Sequence, residues 1–187
     1  MRRDNDTYYT LQAQAAIDAL FGLVPVGGHI FEPCVGKGAL IEAMKDGWGR
    51  HLITTNDIDQ EVDAHYHLDI ASESAAVWLN AQKGGFDWVV TNPPFSKAFE
   101  ILKQMLPLAH GGVALLLRLS FLEPTYERGA WLAEHPPDLI IVLPRMSFTG
   151  DGHTDSVTCA WMVWYTTPIY SDMTTGIRVW PKGEKTS

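Results

Sequence analysis

Short apolar runs recur along the chain, each followed by a stretch with helical spacing. Two of them, "GVALLLRL" at 112–119 and "PDLIIVL" at 137–143, are apolar almost throughout. Successive strand residues point to opposite faces, so a strand without polar alternation needs cover on both. The segments between the runs can supply that cover as helices. "GGHIFEP", "HLITTND", "YHLDI", "FDWVVTN" and "VTCAWMVWY" complete the expected strands. "ALIEAMKDG", "SESAAVWLNAQKGG", "SKAFEILKQMLPLAHGG" and "TYERGAWLAEH" read as helices, with Ser72 capping the second, Ser96 opening the third and Pro107 ending or kinking it. Near the start, "TLQAQAAIDALFGLV" sets Leu11, Ala15, Leu20 and Phe21 near helical spacing, with Thr10 as N-cap and Gly22 as a stop. Strands alternating with helices predict an α/β protein built on an open, mostly parallel, doubly wound sheet. Such sheets bind ligands outside the carboxyl ends of their strands, where strand order reverses.

A chain of 187 residues fits one domain. The expectation is a helical segment over about 7–22, a core over about 28–166 and an irregular tail over about 167–187. No apolar run approaches the roughly 18 residues that cross a bilayer, and "MRRDNDTYYT" has no apolar stretch behind its basic pair, so a cytoplasmic protein without a membrane partner is expected. Cys34 and Cys159 stand far apart without a C-x-x-C partner and are expected to be reduced. His65 and His67 have no cysteine pair or H-E-x-x-H near them, so no metal is expected. The formal net charge is −8, whereas a protein that grips phosphates over its whole surface is basic. Contact with nucleic acid would have to be local, or made with a partner.

Three motifs fall at expected strand ends. "FEPCVGKGAL" follows the first strand and opens a helix; Gly36 and Gly38 clear space for a tight turn and a close ligand, and the helix offers free N–H groups. It is no Walker loop, and it lacks the third glycine of a dinucleotide fingerprint. "TNDID" ends the second strand with Asp57, whose carboxylate can accept both hydroxyls of a ribose or simply face solvent. Ile58 beside it would offer an apolar face to a purine, and Asp69 in "HLDI" is either an acceptor for a ring amino group or a solvated turn acid. The third motif is "DWVVTNPPF" at 87–95, where a buried strand ends in asparagine, two prolines and an aromatic.

Taken in order, "EPCVGKG", "NDID" and "NPPF" resemble the S-adenosylmethionine-dependent amino-methyltransferases, above all the N6-adenine DNA methyltransferases of the NPPF type. The resemblance covers most of the chain and implies a class I, Rossmann-like methyltransferase sheet with its last strand antiparallel; sequence-specific relatives carry an added target-recognition domain, and none is expected here because 187 residues leave no room for one beyond the catalytic fold. It further implies S-adenosylmethionine as cofactor, held by Tyr9, Thr10, Glu32, Pro33, Cys34, Gly36, Gly38, Asp57, Ile58, Asp69, Ile70 and Asn92. "YYT" at 8–10 matches the family's N-terminal cofactor segment, although Leu11 stands where proline is usual. DNA is the implied substrate. The catalytic set would be Asn92, Pro93, Pro94 and Phe95: Asn92 and the Pro93 carbonyl hold the amino group of a flipped adenine, Pro94 stiffens the turn, and Phe95 stacks on the base. In the loop "PRMSFTGDGHTDS", Phe148 is the candidate for the other face of the base, and Arg145 for a phosphate contact.

Other readings stay open on the sequence alone. RNA or a protein glutamine presents the same acceptor chemistry, a silent binding module would keep the fold, and a glycine loop followed by an acid also serves NAD. A partner subunit or a second copy could supply target recognition.

Overall fold

The computed structural model describes residues 13–48, 51–81, 85–144, 157–167 and 176–181. Its centre is a seven-stranded sheet in the order β2-β1-β3-β4-β6-β5-β7. The strands are β1 (His29–Glu32), β2 (Leu52–Thr55), β3 (Phe86–Thr91), β4 (Ala109–Arg118), β5 (Leu139–Val142), β6 (Cys159–Tyr165) and β7 (Gly176–Val179). β2, β1, β3 and β4 run parallel; β6 is antiparallel to both β4 and β5, and β7 is parallel to β5. The expected mostly parallel α/β sheet and its antiparallel "VTCAWMVWY" strand are therefore present.

Period-two alternation sends the side chains of β4 into two cores. Ala114 and Leu116 join one with Ile30, Trp88 and Trp161, whereas Val113, Leu115 and Leu117 join the other with Phe31, Val89 and Met162. α1 (Ala13–Leu23) and α2 (Ala39–Gly47) cover the first face; α3 (Glu73–Ala81) and α4 (Ala98–Met105) cover the second. α1 buries Ala13, Ala16, Ile17 and Leu20, one helical stripe, and the Trp161 indole N–H donates to the Ala16 carbonyl at 2.7 Å. Leu115, Leu116 and Trp161 are almost wholly buried, and covering a side chain of this kind contributes about 2 kcal/mol.

Several boundaries differ from expectation. "YHLDI" forms no strand: one bridge joins Asn56 and Tyr66, and the rest of the segment is held by side chains. α1 runs through Gly22 to Leu23, with Pro25 beyond it. α4 ends at Met105, Pro107 sits in the 3-10 turn Leu106–Leu108, and "AHGG" belongs to β4. Gly111 and Gly112 are there because the Trp88 ring lies against them; a Cβ at Gly111 would stand 2.7 Å from the indole nitrogen. The helix 126–134, α5 (Tyr126–Glu134), has Thr125 as N-cap without a side-chain bond, the N-cap of α4 is Lys97 rather than Ser96, and the Ser72 hydroxyl donates back to the Asp69 carbonyl. The expected irregular tail contains β7, whose backbone completes the open edge of β5.

Candidate active site at the carboxyl ends of the parallel strands

β1 leads into α2 on one face, whereas its neighbour β3 leads into α4 on the other, so the crevice of an open α/β sheet falls between them. The three sequence motifs occupy its rim. Glu32 ends β1, Asp57 lies two residues past β2 and Asn92 immediately follows β3.

Glu32 is 1% exposed. Its Oε1 accepts the Cys34 N–H at 3.1 Å, whereas Oε2 has no hydrogen-bond partner among the described residues. The Thr91 hydroxyl, also fully buried, has none either. Burial pushes the Glu32 carboxyl up to about 8; the nearby Thr91 hydroxyl and the Cys34 N–H pull it down, and the Asp57 charge adds to the rise. Burial likewise raises the Cys34 thiol, with the charges of Glu32, Asp57 and Asp69 acting in the same sense.

The glycine loop is shaped by its backbone. Gly36 and Gly38 have φ of 54° and 78°, the left-handed region that side chains resist, and a Cβ at either would meet nothing within 4 Å. The space in front of them is open to a ligand. Asp57 fastens this loop: its Oδ2 accepts the Gly36 N–H at 2.7 Å and its Oδ1 accepts the Asp59 N–H at 2.9 Å. Each carboxylate oxygen keeps a second lone pair. Ile58 is 64% exposed, whereas Ile70 is buried in the second core. Asp69 is exposed and its Oδ1 accepts the Ala71 N–H at 3.1 Å.

Sequence reasoning missed Asn56. It is 1% exposed, its amide N–H groups donate to the Pro33 and Leu68 carbonyls at 3.0 and 3.1 Å, and its Oδ1 accepts the Leu68 N–H at 2.9 Å. One side chain thus ties the β1 loop to the Asp69 segment.

In the NPPF turn Pro93 is buried, Asn92 and Pro94 are half-buried, and the Pro94 carbonyl accepts the Lys97 N–H at 2.9 Å. Phe95 packs against the edge of the second core, with the Arg118 guanidinium 4.6 Å from its ring centre. Arg118, the last residue of β4, is a second site neighbour that the sequence did not single out. Tyr9, Thr10, Arg145 and Phe148 lie outside the described residues. Among the described residues no group of three His, Cys, Asp or Glu side chains could hold a metal ion, and no helix is long and apolar enough to cross a membrane.

A cleft of about 740 Å³ runs beside the glycine loop, lined by Gly36, Gly38, Ile41, Thr55 and His65 among others. A second, of about 850 Å³, lies at the opposite end of the sheet near Gly28, Asp87 and His110. Asn92 lines neither.

No protein-family profile matches the chain, and no curated protein matches its sequence. Solved structures do. A putative class I S-adenosylmethionine-dependent methyltransferase from Listeria monocytogenes aligns over 95% of this chain and 67% of its own, with a TM-score of 0.65 at 12% identity. The M protein of the type I restriction enzyme EcoKI aligns over 97% of this chain and 51% of its own, with a TM-score of 0.61 at 14% identity. The methyltransferase subunit of a type I restriction-modification system from Streptococcus thermophilus aligns over 84% and 44%, with a TM-score of 0.60 at 18% identity. The chain spans about half the length of these two restriction-system subunits. At such identities the likeness is one of fold, and the fold is that of the class I methyltransferases.

Proposed function

We propose that the chain transfers a methyl group from S-adenosylmethionine to the exocyclic N6 amino group of adenine in DNA, with the base turned out of the duplex. The observation that carries this reading is Asn92-Pro93-Pro94-Phe95 at the carboxyl end of β3, directly beside the strand that bears the open glycine loop. The names of the type I modification proteins among its structural neighbours support the DNA part of the reading.

The residues present fit the cofactor. Open space at Gly36 and Gly38 admits a ligand against the backbone, and Glu32 Oε2 and Thr91 Oγ1 are buried polar atoms without a hydrogen-bond partner among the described residues, suited to an ammonium group. Glu32, Pro33, Cys34, Gly36 and Gly38 would hold the amino-acid part, Asp57 the ribose, and Ile58, Asp69 and Ile70 the adenine ring, with Tyr9 and Thr10 as further cofactor contacts. When bound, the cofactor supplies an electrophilic methyl group on a sulfonium.

The chain's own contribution is positioning. The lone pair of an adenine amino group is delocalised into the ring and reacts poorly. Asn92 contributes its side-chain oxygen and Pro93 its carbonyl, both acceptors for the two N–H bonds; together they draw the nitrogen toward tetrahedral geometry and free its lone pair. Pro93 and Pro94 have fixed φ and no N–H to compete with the substrate's donors. Phe95 gives a ring on which the extruded base stacks. Recognition of a sequence would come from a separate specificity partner or a second copy of the chain.

Transfer of tritium from labelled S-adenosylmethionine into unmethylated DNA tests the reading. Label should appear in N6-methyladenine and fall at least a hundredfold in Asn92→Ala, the order of loss expected when one aligned acceptor is removed. Label confined to RNA or to protein glutamine would transfer the same chemistry to another substrate and end the DNA assignment. Calorimetry that detects NAD but not S-adenosylhomocysteine would end the methyltransferase reading itself.

A further inference from the structure

We infer that the Glu32 carboxyl takes the ammonium group of the cofactor by giving up a proton to solvent, with the Thr91 hydroxyl as second acceptor, so that cofactor binding and proton release are one event. The inference rests on the methyltransferase reading and deepens it at the cofactor end of the site. Glu32 ends β1 and Thr91 ends the neighbouring β3, and both side chains are buried, at 1% and 0% exposure. Glu32 Oε1 accepts the Cys34 N–H at 3.1 Å, whereas Glu32 Oε2 and Thr91 Oγ1 have no hydrogen-bond partner among the described residues. Unpartnered oxygens on two adjacent strand ends are rare in a folded interior, where buried polar atoms are nearly all paired. They mark a place kept for a donor.

The surroundings of Glu32 set its charge before the cofactor arrives. One backbone N–H does not replace the hydration that an ionised carboxylate loses on burial. On its own loop stands the Cys34 thiol, which burial keeps protonated, and on the β2 side stands Asp57, whose negative charge opposes a second one. Asp69 acts on the neighbouring Cys34 in the same sense. From β3 comes the Thr91 hydroxyl, near enough to favour the charged form but not bonded to it. Lys37, on the glycine loop, has a partner of its own within the protein and is not among the groups that act on Glu32. The carboxyl accordingly holds its proton up to about pH 8. An ammonium at Oε2 reverses the balance, because an opposite charge at hydrogen-bond distance favours the ionised form. The carboxyl O–H bond breaks, its electron pair stays on the oxygen and the proton leaves to solvent; the N–H bonds of the cofactor stay intact.

Calorimetric titration of the full chain with S-adenosylhomocysteine at pH 7, repeated in buffers of different ionisation enthalpy, counts the proton. At that pH about nine-tenths of a carboxyl that titrates at about 8 is protonated and about a tenth of a free amino group is uncharged, so about 0.8 proton should be released per molecule bound. Affinity should rise about eightfold from pH 6 to pH 7. The infrared band of a protonated carboxyl should disappear on binding, and Glu32→Gln should lack that band from the start. Thr91→Val, which keeps the shape and removes the oxygen, should weaken binding about tenfold while still releasing about 0.8 proton. A binding enthalpy that does not change with buffer overturns the inference and leaves the methyltransferase reading intact. So does a carboxyl band that persists in Glu32→Gln, or a proton released by S-adenosylmethionine but not by S-adenosylhomocysteine, since the carboxyl would then answer to the sulfonium. A chain that binds neither compound overturns both readings.

Discussion

The most consequential single residue of the proposed cofactor side is Glu32, because its buried carboxyl has one oxygen satisfied and one without a partner among the described residues. Its folded pKa of about 8 exceeds the ordinary 4.5, so between those values the native state holds a proton that the unfolded state has released. Stability from this group is complete below about pH 4.5 and is lost as pH rises through 8, by an amount on the order of a few kcal/mol. Thermal melts of the cofactor-free protein should therefore fall from pH 5 to pH 8, and Glu32→Gln should flatten that dependence and melt higher than the wild type at pH 8. Parallel curves for the two proteins would show that Glu32 is ionised in the fold. Asn56 supports the same loop from behind. In Asn56→Asp an oxygen replaces the nitrogen facing the Pro33 and Leu68 carbonyls, so a loss of about 3 kcal/mol in denaturant stability is expected, together with loss of S-adenosylhomocysteine binding. A variant that melts and binds as wild type would remove Asn56 from the site. The contrast between these two residues explains what the sequence can reveal. Glu32 and Asn92 stand in contiguous motifs, whereas the tethers made by Asn56 arise from the pairing of β1 with β2 and from the chain returning past it at Leu68, which no local pattern encodes.

At the level of elements, the central strands were legible because an unbroken apolar run of that length has few other uses, and "VTCAWMVWY" proved antiparallel as expected. The beginning of β4 was not. "HGG" after a helix reads as a stop signal, yet here the glycines are spacers for the Trp88 ring. Glycines therefore do two physically different jobs in this fold, and substitution should separate them. A Cβ on Gly112 would stand 2.6 Å from the Trp164 carbonyl and 2.8 Å from the Trp88 ring, both in the sheet interior. Gly112→Ala should cost about 2–3 kcal/mol in denaturant unfolding through overpacking, with cofactor affinity kept wherever the protein is folded. Gly38 has open space around it but φ of 78°. Gly38→Ala should cost about 1 kcal/mol of stability and far more in S-adenosylhomocysteine affinity, because the methyl group enters the space proposed for the ligand. Calorimetric titration and urea unfolding of the two variants check both halves; equal loss of affinity in both would mean that the glycine loop is not the binding surface.

Across the whole molecule the sheet divides into a working half and a closing half. β2, β1, β3 and β4, with the segments that follow β1, β2 and β3, carry the described residues of the candidate site, while β6 and β5 contribute to the cores and β7 extends the hydrogen-bond ladder at the edge. The tail from 167 onward reads as irregular in the sequence because "GIRVW" is short and follows a run of polar residues. Its order comes from what it meets. β7 pairs with β5 from Leu139 to Val142, the Trp180 N–H donates to the Val142 carbonyl at 2.9 Å, and the Trp180 ring packs on α1, where a Cβ on Gly22 would stand 3.3 Å from it. All four β7 residues are exposed, so the strand stabilises by sealing an edge and anchoring a tryptophan rather than by filling a core. A chain ended after Thr167 would uncover β5, whose Ile140 and Val142 would then border an unpaired edge, a template for association with other copies. Loss of the Trp180 contact alone should remove about 2 kcal/mol. The truncated protein should melt lower than the full chain and move to larger species in size-exclusion chromatography, while its folded fraction binds S-adenosylhomocysteine with wild-type affinity, since β1 to β3 lie on the other side of β4. Loss of binding in a monomeric, folded truncation would show instead that the closing half reaches into the site.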